Sequence, residues 1–368
     1  MIKLNDIIRI LYGKEGFRMK DISDIDANFK IKSSIQKENI KFYSIKNAPF
    51  KIYGVFWENG QFRRMPQAVA DTVSEGVASL NTHTAGGRVR FKTDSPYVVI
   101  HAEMKNIGKM PHFAITGSAG FDLYIREDGK ERYEGSFVPP FTLTDGYESI
   151  VTFCEKKTHE VTVNFPTYSE ITELFIGLDA DASVSEATPY KTEIPIVYYG
   201  SSITQGGCSS RPGNTYESMI SQVLDCNYIN LGFSGNAMGE DEIADYISGL
   251  EMSAFVYDYD HNAPTEEHLA ATHEKMFKKI RESNPSLPIV IMSRPKYYLE
   301  EFEKQRLDTI KQTYNNAAAR GDKNIYLLTG KELMELAQYN GTVDNCHPND
   351  LGFASMSKAL TEVLKKII

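Results

Sequence analysis

Two adjacent serines, Ser201 and Ser202, follow an apolar run in the stretch YYGSSITQGG (Tyr198–Gly207). A serine presented on a turn after a strand is a candidate nucleophile for acyl transfer. That chemistry also needs a base for the hydroxyl proton, a group that orients the base, and donors for the oxyanion. Among eight histidines, His347 is the best base because Asp344 lies three residues before it in DNCHPND. On a turn or helix start, this spacing lets the carboxylate reach one imidazole nitrogen and leaves the other for the serine. His261 competes as a base, but it sits beside Asn262 inside a loop, which suits substrate contact or packing better. Three oxyanion donors are available: the backbone N–H groups of Ser202 and Gly235 and the side-chain amide of Asn262. Each such donor is worth roughly 2.7–4 kcal/mol. Every one of these features has a plainer reading alone. D-x-x-H is a common pair, Gly235 could be a left-handed turn, Asn262 a loop cap, and the serines an ordinary strand-to-helix loop.

The elements that must position these groups have two rhythms. From about Tyr190 onward, short apolar strands alternate with amphipathic helices: IPIVYYG, NYINLGF, AFVYDYD, PIVIMSR and NIYLLTG, separated by segments such as TYESMISQVL and EEHLAATHEKMFKKIRES. Alternation of this kind predicts βαβ units and a parallel sheet covered on both faces. Ligands of such sheets gather beyond the carboxyl ends of the strands. Ser201 and Ser202 follow the first strand, SGNA (Ser234–Ala237) the second, and HNAP (His261–Pro264) the third, while DNCHPND precedes the last helix. That convergence carries more weight than any single motif. From about Phe50 to Ala187, strands such as GRVRFKTDS, YVVIHAEM, FDLYIRE and HEVTVNF are separated by turn signals, with no long helix. This predicts an all-β sandwich or jelly roll. The expected division is an N-terminal extension over 1–40, a β-sandwich over 41–188 and an α/β/α domain over 189–368. The extension is expected to be an extra strand pair or a helix packed on the sandwich.

Bulk properties narrow the function. Lys plus Arg is 40 against 49 Asp plus Glu, a net charge of −9, which disfavours nucleic-acid partners. No apolar window reaches the roughly 20 residues needed to cross a bilayer. The N-terminus has no uninterrupted apolar run typical of a secretory leader. The four cysteines (Cys154, Cys208, Cys226 and Cys346) are scattered and form no C-x-x-C pair. A disulfide scaffold and a thiolate zinc site are therefore disfavoured, and a reduced, cytoplasmic protein is expected. Serine chemistry requires no metal or cofactor, and none is expected; homo-oligomerisation stays open.

GSSIT, GFSGNA, DYDHNAP and DNCHPNDLGF occur in this order and resemble the four blocks of the SGNH (GDSL-type) hydrolases. GFDLY (Gly120–Tyr124), RRMP and HTAGGRVRF resemble the β-domain of one esterase branch of that superfamily. The resemblance covers about Tyr43 to the C-terminus and implies a flavodoxin-like three-layer α/β/α domain preceded by a β-sandwich. By matching position, Ser202 is the implied nucleophile, Asp344 and His347 complete the triad, and Ser202, Gly235 and Asn262 form the oxyanion hole. Ser201 stands where the G-D-S form has aspartate, so an orienting carboxylate beside the serine is lost. The third block departs from G-x-N-D, and only its asparagine carries over.

The implied activity is hydrolysis of short esters, with O-acetyl groups on oligosaccharides as the expected target. The alternatives are a glycan-binding protein with an inactive hydrolase domain, or a short-chain thioesterase or lysophospholipase. Tyr257, Tyr259 and Phe233 are candidates for stacking on sugar rings, with core packing as the plainer role. Arg211 suits a pocket-rim contact or a loop-anchoring salt bridge, and His261 a substrate contact. Arg88 and Arg90 alternate on one strand and share a face, expected to be solvated rather than at a domain interface. Asp122 of GFDLY is expected to fix a loop. If Ser202 and His347 meet, Cys208 and Cys346 flank the same site, as free thiols in a reducing compartment.

Overall fold

A computed structural model describes residues 33–37, 39–155 and 157–368. Most of the expected N-terminal extension, with its strand pair or helix, lies outside the described residues. No helix among those described is long and apolar enough to cross a membrane.

The N-terminal half is built of two antiparallel sheets. One orders its strands Ile40–Ser44, Glu170–Asp179, Tyr97–Lys105 and Gly146–Thr152. The other runs through Val184–Ser185, Arg88–Thr93, His159–Asn164, Phe121–Glu127 and Lys130–Phe137, with Lys51–Tyr53 added against Arg88–Thr93. Alternating side chains of the two sheets, among them Val89, Phe91, Val98, Ile100, Leu123, Val161 and Ile176, share one fully buried core. This is the expected sandwich, held together because period-two alternation turns one face of each sheet inward. Besides the single turn Ile115–Ser118, the successive helices Gln67–Val73 and Glu75–Leu80 interrupt the β-rich half. The strand rhythm concealed them because their apolar residues (Ala70, Val77) belong to the core of the other half.

From Thr192 the chain forms five parallel strands: Thr192–Gly200, Cys226–Gly232, Ala254–Asp258, Ile289–Met292 and Ile325–Leu328. Their spatial order is second, first, third, fourth, fifth. This is the doubly wound order whose chain reversal lies between the first and third strands. Successive residues of the first strand face opposite ways. Val197 and Tyr199 pack toward helices Asp241–Ser248 and Glu266–Ser283, while Ile196 and Tyr198 pack toward Tyr216–Leu224 and Asp350–Leu364. The near-continuous apolar strands follow from burial on both faces.

The halves are joined by buried polar contacts. Arg88 and Arg90, expected to be solvated, are 1% and 0% exposed. Arg88 donates to Tyr190 Oη, Gly86 O and Asn227 Oδ1, each at 2.8 Å, and its guanidinium lies 4.0 Å from the Tyr228 ring. Arg90 pairs with Glu160 at 3.2 Å. Alternation on one strand did place both on one face, but that face is covered by Tyr190 and, over Arg88, by Asn227 and Tyr228 of the α/β half. Arg126 adds a forked pair to Asp225 at 2.6 and 2.5 Å. Asp122 fixes a loop, accepting from the Gly213 N–H and from Asn164, both at 2.8 Å.

Candidate active site

Gly200 is paired in register with Gly232 on one side and Asp258 on the other. Three chain segments therefore leave the sheet at one level, and the candidate residues follow directly. After Gly200, Ser201 caps a one-turn helix, Ser202–Gln205, its side chain accepting from the Ile203 N–H at 3.2 Å. Ser201 Oγ is spent on that cap. Ser202 Oγ instead lies 2.9 Å from His347 Nε2, and His347 Nδ1 lies 2.8 Å from Asp344 Oδ2. The other Asp344 oxygen accepts the backbone N–H groups of Cys346 and His347, at 3.1 and 2.7 Å. Burial pushes the Asp344 carboxyl up, but these bonds outweigh it and hold it below the usual range. An ionised carboxylate can only accept, so in the neutral ring Nδ1 carries the proton and the Nε2 lone pair faces Ser202. Gly207 keeps this space open, because a Cβ there would sit 2.9 Å from Ser202 O and 3.4 Å from the His347 ring.

Gly235, beyond the second strand, has φ +69°, a left-handed conformation that glycine adopts without strain. A Cβ there would meet nothing within 4 Å, so backbone conformation rather than crowding requires the glycine. Gln205 sets the loop by accepting the Ser234 N–H at 2.9 Å. Neither the Ser202 nor the Gly235 N–H is bonded to another described residue. Asn262 donates one amide N–H to Phe233 O at 2.8 Å, which fixes its plane and leaves the second free. Asn262 ends the short turn Asp260–Asn262, anchored beneath by Asp260. That carboxylate bonds Arg294 at 3.2 Å and Arg306 at 2.8 Å. Asp258, at the end of the third strand, lies under the Ser202–Gln205 helix and meets Thr204 Oγ1 at 3.2 Å. Burial drives its carboxyl well up, toward the neutral form.

The β-rich half supplies part of this site. Tyr168 donates its hydroxyl to Ser202 O at 3.1 Å. Gln205 Nε2 meets Thr167 O at 3.2 Å and His83 Nδ1 at 3.1 Å. Burial, with the Arg64 charge, lowers His83 to about 3, so it stays neutral. Arg64 of RRMP reaches under the second strand's end to bond Gly232 O. The His112 ring lies 5.7 Å from that of His347, and Met110, Phe113 and Tyr168 pack around Cys208. Sequence reasoning missed this wall. His83 was within a quoted motif, but KMPHF (Lys109–Phe113) carries no signal beyond a proline and a histidine.

Residues 193–365 match the GDSL-like lipase/acylhydrolase family, and residues 40–184 match the N-terminal GxDLY domain of SGNH-hydrolase-type esterases. The α/β half is a GDSL-like lipase/acylhydrolase domain, and the β-rich half is the domain that precedes it in SGNH-hydrolase-type esterases. It is an ester hydrolase. A search of curated proteins gives no match. Among solved structures, a candidate GDSL-like lipase from Bacteroides ovatus is 28% identical, with TM-score 0.80, over 89% of this chain and 98% of that one. The salicylyl-acyltransferase SsfX3 of a tetracycline biosynthetic pathway shares the fold at 18% identity and TM-score 0.72, over 90% and 99% of the two chains. A family two carbohydrate esterase from Clostridium thermocellum, in complex with cellohexaose, shares it at 14% and 0.55, over 77% and 92%.

Several expected contacts of this hydrolase lie elsewhere. Arg211 is not free at a pocket rim: it pairs with the fully buried Asp122 at 3.1 Å, bonds Tyr124 Oη and covers the Tyr133 ring at 4.0 Å. It is the loop-anchoring salt bridge between the halves. Tyr259 is 1% exposed, with its hydroxyl on Thr272 and its ring stacked near His273, so it belongs to the core rather than to a substrate surface. Tyr257 and Phe233 are also fully buried. His261 does approach the site, with Nδ1 3.6 Å from Cys346 Sγ, but its Nε2 is sealed from solvent without a partner. Burial and the Arg294 charge lower it to about 3, so it backs the loop of Asp344 and His347 as a neutral ring instead of presenting a charge to substrate. All four cysteines are free thiols. Burial raises Cys208 to about 12, which makes it no rival nucleophile at neutral pH.

Proposed function

We propose that this hydrolase removes short acyl groups, chiefly acetyl, from oligosaccharides through a covalent acyl-serine. The observation that carries the proposal is the unbroken hydrogen-bond chain from Asp344 through His347 to Ser202. Ser202 Oγ attacks the ester carbonyl while His347 Nε2 takes its proton, and the negative charge passes to the carbonyl oxygen. The N–H groups of Ser202 and Gly235 and the free amide N–H of Asn262 meet that oxyanion. His347 then returns the proton to the leaving sugar hydroxyl, and a water repeats the sequence to release acetate. Asn262→Ala is expected to lower kcat by about 10²–10³ with KM little changed, measured on p-nitrophenyl acetate.

The carbohydrate reading is supported by a groove beside the triad loop. About 220 Å³ in volume, it is lined by three tyrosines and by Asn345, Thr342 and Gln338, together with Lys296, Glu300, Pro295 and Met334. Tyr298 and Tyr339 are 67% and 72% exposed, and Tyr297 packs edge-on against Tyr339. Exposed rings flanked by amide and hydroxyl groups suit a sugar, which offers an apolar face and polar edges. The test is acetate release from acetylated xylo- and manno-oligosaccharides, with octanoyl esters as a contrast. Turnover of acetylated oligosaccharides above that of p-nitrophenyl acetate is expected, and octanoyl esters are expected to be poor. A uniformly weak response to the sugars would reject the carbohydrate reading while leaving the esterase intact. Tyr339→Ala is expected to raise KM roughly 2- to 12-fold for oligosaccharides and to leave p-nitrophenyl acetate unaffected.

A further inference from the structure

We propose that His112, Cys208 and His347 together form an inhibitory site for a thiophilic divalent cation, with Zn²⁺ the ion that fits. One ligand atom from each residue lies within 4.8 Å of the other two. The three come from separate parts of the chain: the loop of the β-rich half, the segment after the nucleophile helix, and the triad loop. One thiol and two imidazoles form a donor set suited to Zn²⁺, whereas Mg²⁺ and Ca²⁺ select oxygen ligands. With Zn–S near 2.3 Å and Zn–N near 2.0–2.1 Å, tetrahedral ligand atoms lie roughly 3.3–3.6 Å apart. Closing to that spacing takes up to roughly 1.5 Å per pair, supplied by rotation of the exposed His112 ring and of the His347 ring as it leaves Ser202. Cys208 is held in place by Phe113 and Tyr168.

The site is not needed for catalysis and opposes it. The Cys208 thiol gives its proton to solvent as its sulfur binds the cation. His347 donates to the metal the Nε2 lone pair that otherwise faces Ser202 Oγ at 2.9 Å. Ser202 then keeps its proton and stays a weak nucleophile. Removing the metal restores the lone pair and lets the Cys208 sulfur take a proton back from solvent, so inhibition is reversible.

The experiment uses the full chain after chelator treatment. Hydrolysis of p-nitrophenyl acetate is titrated with ZnCl₂ or MgCl₂, each variant being referred to its own metal-free rate. Zn²⁺ is expected to inhibit, EDTA to reverse it, and Mg²⁺ to have no effect. Cys208→Ser and His112→Ala are each expected to raise the half-inhibiting Zn²⁺ concentration at least about tenfold. Cys346→Ser is expected to leave it unchanged. Independently of activity, Co²⁺ is expected to give a near-ultraviolet thiolate-to-metal band that persists in Ser202→Ala and Cys346→Ser and disappears in Cys208→Ser. The inhibition arm rests on the serine-esterase reading; the cobalt band does not, so the two can fail separately. Equal Zn²⁺ sensitivity in wild type, Cys208→Ser and His112→Ala would overturn the site, as would stimulation by Zn²⁺ or absence of the band.

Discussion

Ser202→Ala is expected to abolish ester hydrolysis, lowering kcat by on the order of 10⁴–10⁶ with little change in KM. The size of the effect follows from what the residue does in the proposed mechanism: without Oγ, His347 has no proton to take and no acyl-enzyme forms. The fold has no comparable stake in the hydroxyl. Ser202 is the first residue of its helix, where alanine is well tolerated, and among the described residues its Oγ bonds only His347. Ser201→Ala is the matched control. Ser201 is fully buried and its hydroxyl caps the Ile203 N–H, so its loss costs about 1 kcal/mol of stability and retains turnover. Single-turnover acetate release and urea denaturation on both variants check the pair. Robust turnover by Ser202→Ala, or loss in Ser201→Ala at full stability, would transfer the nucleophile to another group.

How much of this was legible beforehand follows the range of the interactions. The five strands of the α/β half announced themselves because burial on both faces leaves continuous apolar runs, and their loops fell where chemistry was sought. The pairing of Ser202 with His347 was inferable because each local pattern restricts its partner: a serine after a strand, and a carboxylate three residues before a histidine. Contacts between the halves were not legible. Arg88 and Arg90 read as a solvated pair because alternation gives a shared face but not what covers it. Arg211 and Tyr259 were misplaced for a related reason. A polar or aromatic residue near a motif looks like a substrate contact until Asp122 or Thr272 is seen to occupy it. The wall formed by His83, His112 and Tyr168 depends on how the sandwich is seated on the sheet, which no periodicity records.

Asp260→Ala is expected to cost about 3–5 kcal/mol of stability, a large share of the roughly 5–15 kcal/mol that holds a domain together. Asp260 is 1% exposed between Arg294 and Arg306, which are 8% and 6% exposed. Removing it strands two guanidinium groups in the interior, with Glu303 left to answer Arg294 at 3.0 Å. Activity should fall as well, even where the variant stays folded. Arg306 also bonds Asp260 O and, at 2.9 Å, Ala263 O, so the turn presenting Asn262 loses its anchor. Asp260→Asn keeps the shape and part of the hydrogen bonding and should cost less. The pH dependence has a defined sign. Burial alone would raise the Asp260 carboxyl, but the Arg294 charge and the arginine hydrogen bonds hold it at about 2, below its ordinary 3.8. The group's contribution to stability is therefore fully present above about pH 4 and is lost as pH falls toward 2. Urea midpoints of wild type and Asp260→Asn should converge over that window. A destabilisation below about 1 kcal/mol in Asp260→Ala, or parallel acid profiles for the two proteins, would show that the buried carboxylate is not what holds the Asn262 turn in place.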